Sequence, residues 1–225
     1  MKKFSFSFSD LPFVFRESLR GKSLARIFLN LALKKTKPAA LHGRILDLGS
    51  KTDCASYYRF LPRADDSELI CTDLYAESDN VKKVDLEKPF PKDLGQFNAI
   101  LCFNTLEHIS NTDNLLGQSS AYLTPGGRFL GSAPFLYPYH KDPDDFYRFT
   151  HSALAEFFTQ HGLTPKHITP IGHGPFTLGF NFVPGPGIFR AFFQTTLFAL
   201  DLILKPYTRR YPDAFTLIYV FEAVK

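Results

Sequence analysis

The sequence predicts an α/β protein built on an open, mostly parallel sheet with helices on both faces. Three observations carry this. Apolar, β-prone runs recur from residue 44 onward, helix-like stretches separate them, and acidic or amide residues fall where the runs end. The runs are RILDL (44–48), ELICTD (68–73), FNAILCF (97–103) and GRFLGSA (127–133), with a weaker one at VKKV (81–84). Strands buried on both faces read in this way, as short continuous apolar segments. Between them CASYYRFL and NTDNLLGQSSAYL are helix-like, the second ending at TPGG. After the last run comes THSALAEFFTQHG, for which Thr150 is a suitable N-cap and Gly162 a suitable stop.

The chain has 225 residues, suiting one domain with an appendage, and its 44% apolar content is enough for a sizeable core. Cys54, Cys71 and Cys102 are odd in number and lack C-x-x-C spacing, so they read as reduced core residues and not as a disulfide framework or zinc site. Residues 1–44 carry ten Lys/Arg against two Asp/Glu, and the remainder sixteen against twenty. The chain therefore divides into a basic N-terminal arm, 1–43, and a slightly acidic body, 44–225. Within the arm Leu24, Ile27, Phe28 and Leu31 share a helical face, with Arg26, Asn30 and Lys34 turned elsewhere. Two readings stay open: a helix docked on the body, or a surface for phosphates or anionic lipid. The opening segment lacks the apolar run of a signal peptide, so a cytoplasmic protein is expected.

In such a sheet a ligand lies beyond the carboxyl ends of the strands. Asp47 and Gly49 end the first run, Asp73 the second; Asp85 follows the third and Asn104 the fourth. A glycine after the first strand lets a cofactor approach the backbone, and a carboxylate ending the second can accept both hydroxyls of a ribose.

The ordered set ILDLGS, CTDLY, VDLEKPFP, FNAILCFNTLEHI and LTPGGRFLGSAPF resembles the class I S-adenosylmethionine-dependent methyltransferases, of the type that methylates small molecules. The closing DAFTLIYVFEAVK resembles the family's last strand. The resemblance implies a Rossmann-like sheet of seven strands, the last antiparallel and near the sheet edge, with S-adenosylmethionine as cofactor. It implies that Asp47, Gly49 and Ser50 border the methionine portion and that Asp73, with Leu74 beside it, holds the ribose. Asp85 and Leu86 would meet the adenine edge, and Phe103 and Asn104 would line the floor near the sulfonium. Glu107 is expected to be structural; the role of His108 stays open.

The family usually has D-x-G-x-G-x-G, whereas residues 47–53 here read DLGSKTD, with Lys51 at the middle glycine and Asp53 at the last. If that backbone needs positive φ, Lys51 costs on the order of 1 kcal/mol. A binding-only descendant with a degenerate loop is therefore the alternative to a working enzyme. A nicotinamide dehydrogenase is disfavoured because G-x-G-x-x-G is absent.

The segment YPYHKDPDDFYRFT (137–150) overhangs the same cleft. His140 is the candidate base, with Asp144 or Asp145 orienting it; equally, Arg148 ties down the aspartates of a structural loop. A divalent metal on His140 and these aspartates lacks a second histidine at ligand spacing, and no metal is assigned. Residues 171–206 form an apolar Gly/Pro-rich and helical insert. Ile188, Phe192, Phe193, Leu197, Leu200 and Leu204 make one face, and Arg190, Gln194 and Asp201 the other. The run is judged too short and too polar to span a bilayer. A lid, a homodimer face, or contact with the inner membrane surface remain open. The methyl acceptor is expected to be an O or N atom of a small molecule, glycan or lipid-linked compound. Nucleic acid is not expected, because the basic residues cluster in one arm.

Overall fold

The computed structural model describes residues 4–51, 55–76, 78–182, 187–208 and 213–225; the expectations at Asp53, Cys54 and residues 183–186 fall outside these. The strands are β1 (Arg44–Leu48), β2 (Glu68–Asp73), β3 (Val81–Lys83), β4 (Phe97–Phe103), β5 (Leu123–Pro134), β6 (Thr164–Gly172) and β7 (Thr216–Val224). They form one seven-stranded sheet in the order β3-β2-β1-β4-β5-β7-β6. β1 to β5 pair in parallel, and β7 runs antiparallel to both β5 and β6. The last strand is thus one place in from the edge. Beyond it, at that edge, lies β6, which was not assigned from the sequence and which contains Pro165 and Pro170. An edge position tolerates them, since a proline there need not donate to a second neighbour.

Side chains of β4 alternate between two cores. Ala99, Leu101 and Phe103 join the cluster under the N-terminal helices α1 (Leu11–Leu19) and α2 (Leu24–Thr36). Ile100 and Cys102 join the cluster under α3 (Thr112–Tyr122) and α4 (His151–Gln160). α3 starts on Asn111 and α4 on Thr150, whose side chains accept the Asn114 and Ala153 N–H groups. Gly162, at φ 72°, follows α4.

The basic segment contributes to the first core. Ser23 caps α2, and Leu24, Ile27, Phe28 and Leu31 are buried, each stabilising by roughly 1.5 to 3 kcal/mol. Of the residues expected on another face, Asn30 is also fully buried and donates to Ser56 Oγ, while the Arg26 guanidinium lies 5.0 Å over the Tyr57 ring. Both face a single 3-10 turn, Ser56–Phe60, which stands where CASYYRFL suggested a longer helix.

The insert folds as α5 (Pro175–Phe180) and α6 (Gly187–Thr208). α6 is a continuous 22-residue helix, long and apolar enough by composition to cross a membrane, which corrects the expectation from the sequence. Its orientation is inverted relative to an ordinary surface helix. The polar residues Gln194 and Asp201 are buried with Ala191, Phe198 and Leu202, whereas Ile188, Phe189, Phe192, Phe193 and Ile203 are exposed. Asp201 holds the helix in this rotation by accepting the Phe176 and Thr177 N–H groups at the start of α5, at 3.2 and 2.7 Å. Gly174 leaves room for that carboxylate, since a Cβ there would sit 2.4 Å from it.

Candidate cofactor and acceptor site

The strand order reverses between β1 and β4, so their carboxyl ends splay and leave a crevice. A cleft of about 790 Å³, counted with its open mouth, lies there. Its lining includes Gly49 and Lys51 after β1, Asp73 and Leu74 at β2, Asp85 and Leu86 after β3, and Asn104 and Thr105 after β4. His108, Ile109, Asp142, Asp144 and Phe146 complete the walls.

The backbone at the crevice is strained in a pattern. Gly49 (φ 67°), Lys51 (φ 56°) and Asn104 (φ 52°) all occupy the left-handed region. Glycine is required at 49 twice over, because a Cβ would also meet Thr105 Cγ2 at 2.7 Å. Asn104 accepts a short hydrogen bond from the Ser132 hydroxyl, and its N–H donates to the Ser132 carbonyl. Lys51 does need the positive φ anticipated for it. Its Nζ reaches across the mouth to both carboxylate oxygens of Asp142, at 2.6 and 2.7 Å, with both side chains largely exposed.

Asp73 is buried at the end of β2, where its Oδ1 accepts the Tyr75 N–H and fixes the carboxylate at the cleft wall. Asp85 accepts from the Glu87 N–H, and the Lys88 ammonium beside it holds its carboxyl below the usual range. Glu87 accepts the Ser110 and Asn111 N–H groups, fastening the β3 end to the start of α3.

Other expected residues lie elsewhere. Asp47 is fully buried and outside the cleft lining, with Oδ2 accepting the hydroxyls of Tyr57 and Tyr58 at 2.5 Å each. Burial pushes its carboxyl up to about 6 against these hydrogen bonds, and raises both phenols. It braces the turn after β1 through Tyr57 and Tyr58. Ser50 and Phe103 also fall outside the lining: Ser50 N–H donates to the Thr72 carbonyl, and Phe103 packs on Tyr57.

In the 137–150 segment, Asp144 lines the cleft but His140 and Asp145 do not. Asp145 is engaged by Arg148 through both oxygens, at 2.5 and 2.6 Å, and accepts the His140 backbone N–H. It ties the loop, as the structural alternative had it. Partial burial lowers the His140 imidazole below its ordinary value, so the ring is neutral near pH 7. The imidazole on the cleft wall is His108, its Nδ1 2.5 Å from the Asp144 carbonyl oxygen. A carbonyl oxygen only accepts, so Nδ1 carries a proton, and in the neutral ring the lone pair is on Nε2. Beside it Glu107 is fully buried, with neither carboxylate oxygen hydrogen-bonded.

Lys51→Gly should leave S-adenosylmethionine affinity unchanged or improve it. Glycine removes a side chain and one positive charge from beside the cofactor's sulfonium, and the exposed ion pair lost with it is worth only roughly 0 to 1 kcal/mol. Calorimetry checks this; a loss of about tenfold or more would mean that Lys51 grips the ligand itself.

No curated protein sequence matches the chain. Among solved structures, an S-adenosylmethionine-dependent methyltransferase from Mesorhizobium loti is similar at TM-score 0.55 and 16% identity, over 92% of this chain and 100% of that one. The 1,6-didemethyltoxoflavin-N1-methyltransferase of Burkholderia thailandensis, with bound 1,6-didemethyltoxoflavin and S-adenosylhomocysteine, is similar at 0.52 and 15%, over 100% and 93%. At such identities the likeness concerns the fold. The family profile described as a methyltransferase domain matches residues 15–167, more than half of the sequence. With the seven-stranded order, the reversed β7 and the cleft at the β1–β4 switch point, that match places the chain in the class I S-adenosylmethionine-dependent methyltransferase family.

Proposed function

We propose that the chain methylates an O or N atom of an apolar or lipid-linked acceptor while seated on the inner face of a membrane. The observation that carries this reading is the inverted helix α6, whose apolar residues Ile188, Phe189, Phe192, Phe193 and Ile203 face outward while its acid is buried. Phe176 and Phe182, also exposed, extend the same apolar character into α5 and the turn after it.

The cleft suits the family's cofactor on its donor set. A buried carboxylate, Asp73, is available for a ribose, Asp85 and Leu86 for an adenine edge, and the bare backbone at Gly49 for close approach. When bound, the cofactor supplies a methyl group activated by its sulfonium. The protein's part is alignment, so the residues that fix the two reactants carry much of the catalysis. Leu74, Leu86, Ile109 and Phe146 limit water, Lys51 and Asp142 bridge the mouth, and an acceptor entering the cleft meets His108.

A second reading, a binding-only protein, is favoured by one observation: the loop that usually runs through three glycines is here closed by a strained lysine and an ion pair. The two separate in one experiment. The protein is incubated with methyl-labelled S-adenosylmethionine and a total membrane extract, and the label is followed into organic and aqueous phases. Label in the organic phase is expected. Label in the aqueous phase alone would replace the lipid-linked acceptor with a soluble one, and cofactor binding without any transfer would support the binding-only reading.

A further inference from the structure

We propose that Glu107, His108 and His140 form a binding site for a divalent transition metal, zinc above all, beside the acceptor end of the cleft. Each offers one ligand atom, and the three atoms lie within 4.8 Å of one another. Bonds of about 2.1 Å at tetrahedral angles place ligand atoms roughly 3.4 Å apart. Glu107 Oε1 and His108 Nε2 are already 3.7 Å apart, so small side-chain movements close the set.

Three further features point to a cation. Glu107 is fully buried with two carboxylate oxygens that accept no hydrogen bond, which is costly for an anion and is relieved by a metal. The nearby Arg148 guanidinium is engaged by Asp145 through both of its oxygens. His108 is held by the Asp144 carbonyl in the tautomer that presents Nε2, the second-shell support that ligating histidines require. The His140 ring stands against it edge to face, with centroids 4.9 Å apart, and contacts the Pro138 carbonyl through Nδ1.

Two histidines and a glutamate leave coordination positions open, and His108 lines the cleft, so those positions can take an oxygen ligand from there. An acceptor hydroxyl, carboxylate or phosphate is the matching chemistry, and a coordinated hydroxyl would lose its proton to solvent more readily. Metal binding itself stands on the three side chains and not on the identity of the acceptor.

The test uses the tag-free full chain, stripped with a chelator and titrated with zinc against a chromogenic competitor. One equivalent per chain is expected, with affinity about 100-fold weaker in Glu107→Gln and in His140→Gln. His140 is partly exposed, so its variant reports even if Glu107→Gln does not fold. His161→Gln, which alters the separate His161–Asp113 pair, should leave zinc binding unchanged. Undiminished binding in His140→Gln, or binding lost in Cys54→Ser but kept in His140→Gln, overturns the site. Absence of stoichiometric zinc in the wild type does so as well.

Discussion

Replacing Asp73 with alanine is expected to raise the dissociation constant for S-adenosylmethionine about 30-fold, or about 2 kcal/mol, because two charge-assisted hydrogen bonds to the ribose are lost. The expectation rests on position. Asp73 is the last residue of β2, next to the switch point, and its carboxylate is turned to the cleft wall by the Tyr75 N–H. Asp73→Asn should fall between the two, since an amide retains one acceptor oxygen. Thermal unfolding of each variant, run beside the calorimetry, separates a binding loss from a folding loss. Affinity equal to the wild type within error would remove the ribose assignment.

A double change, Phe192→Ser with Phe193→Ser, is expected to reduce partition onto anionic liposomes by about 100-fold or more, since each large apolar side chain contributes roughly 1.5 to 3 kcal/mol on leaving water. Both rings are mainly exposed, 61% and 48%, so their loss should leave the unfolding temperature nearly unchanged. Phe198, buried on the opposite face of the same helix, is the contrast: serine there should destabilise the fold whether or not a membrane is present. Binding should rise with the fraction of anionic lipid and fall with salt. Wild-type protein that stays in the supernatant, with a concentration-dependent mass that the double variant abolishes, would make the face a dimer contact.

The parts of the fold legible in the sequence were those where one physical rule dominates. β1, β2 and β4 lie inside a parallel sheet with both faces covered, and such strands read as unbroken apolar runs. Thr150 and Gly162 mark helix ends because capping and positive φ are local requirements. β6 was hidden by its prolines, which an interior strand would exclude and an edge accepts. The rotation of α6 was hidden for a different reason. Periodicity separates its two faces but does not say which is inside, and here the buried bonds of Asp201 decide it. In the site, strand-end residues such as Asp73, Asp85 and Asn104 were legible from topology, whereas Asp47 was drawn inward by Tyr57 and Tyr58. The approach of His108 to His140 joins segments distant along the chain, beyond what ligand spacing in one stretch can reveal.

The placement of β7 between β5 and β6 also orders events during synthesis. Among the described residues those two strands do not pair with each other, so β6 has no strand partner until β7, which follows it in the chain, has been translated. Until then β5 presents an open hydrogen-bonding edge, although β6, α5 and the apolar α6 have already been synthesised. Insertion of β7 is therefore the step that closes the nascent sheet, and the interval before it is when this chain is most exposed to pairing with a copy of itself or to capture by a chaperone.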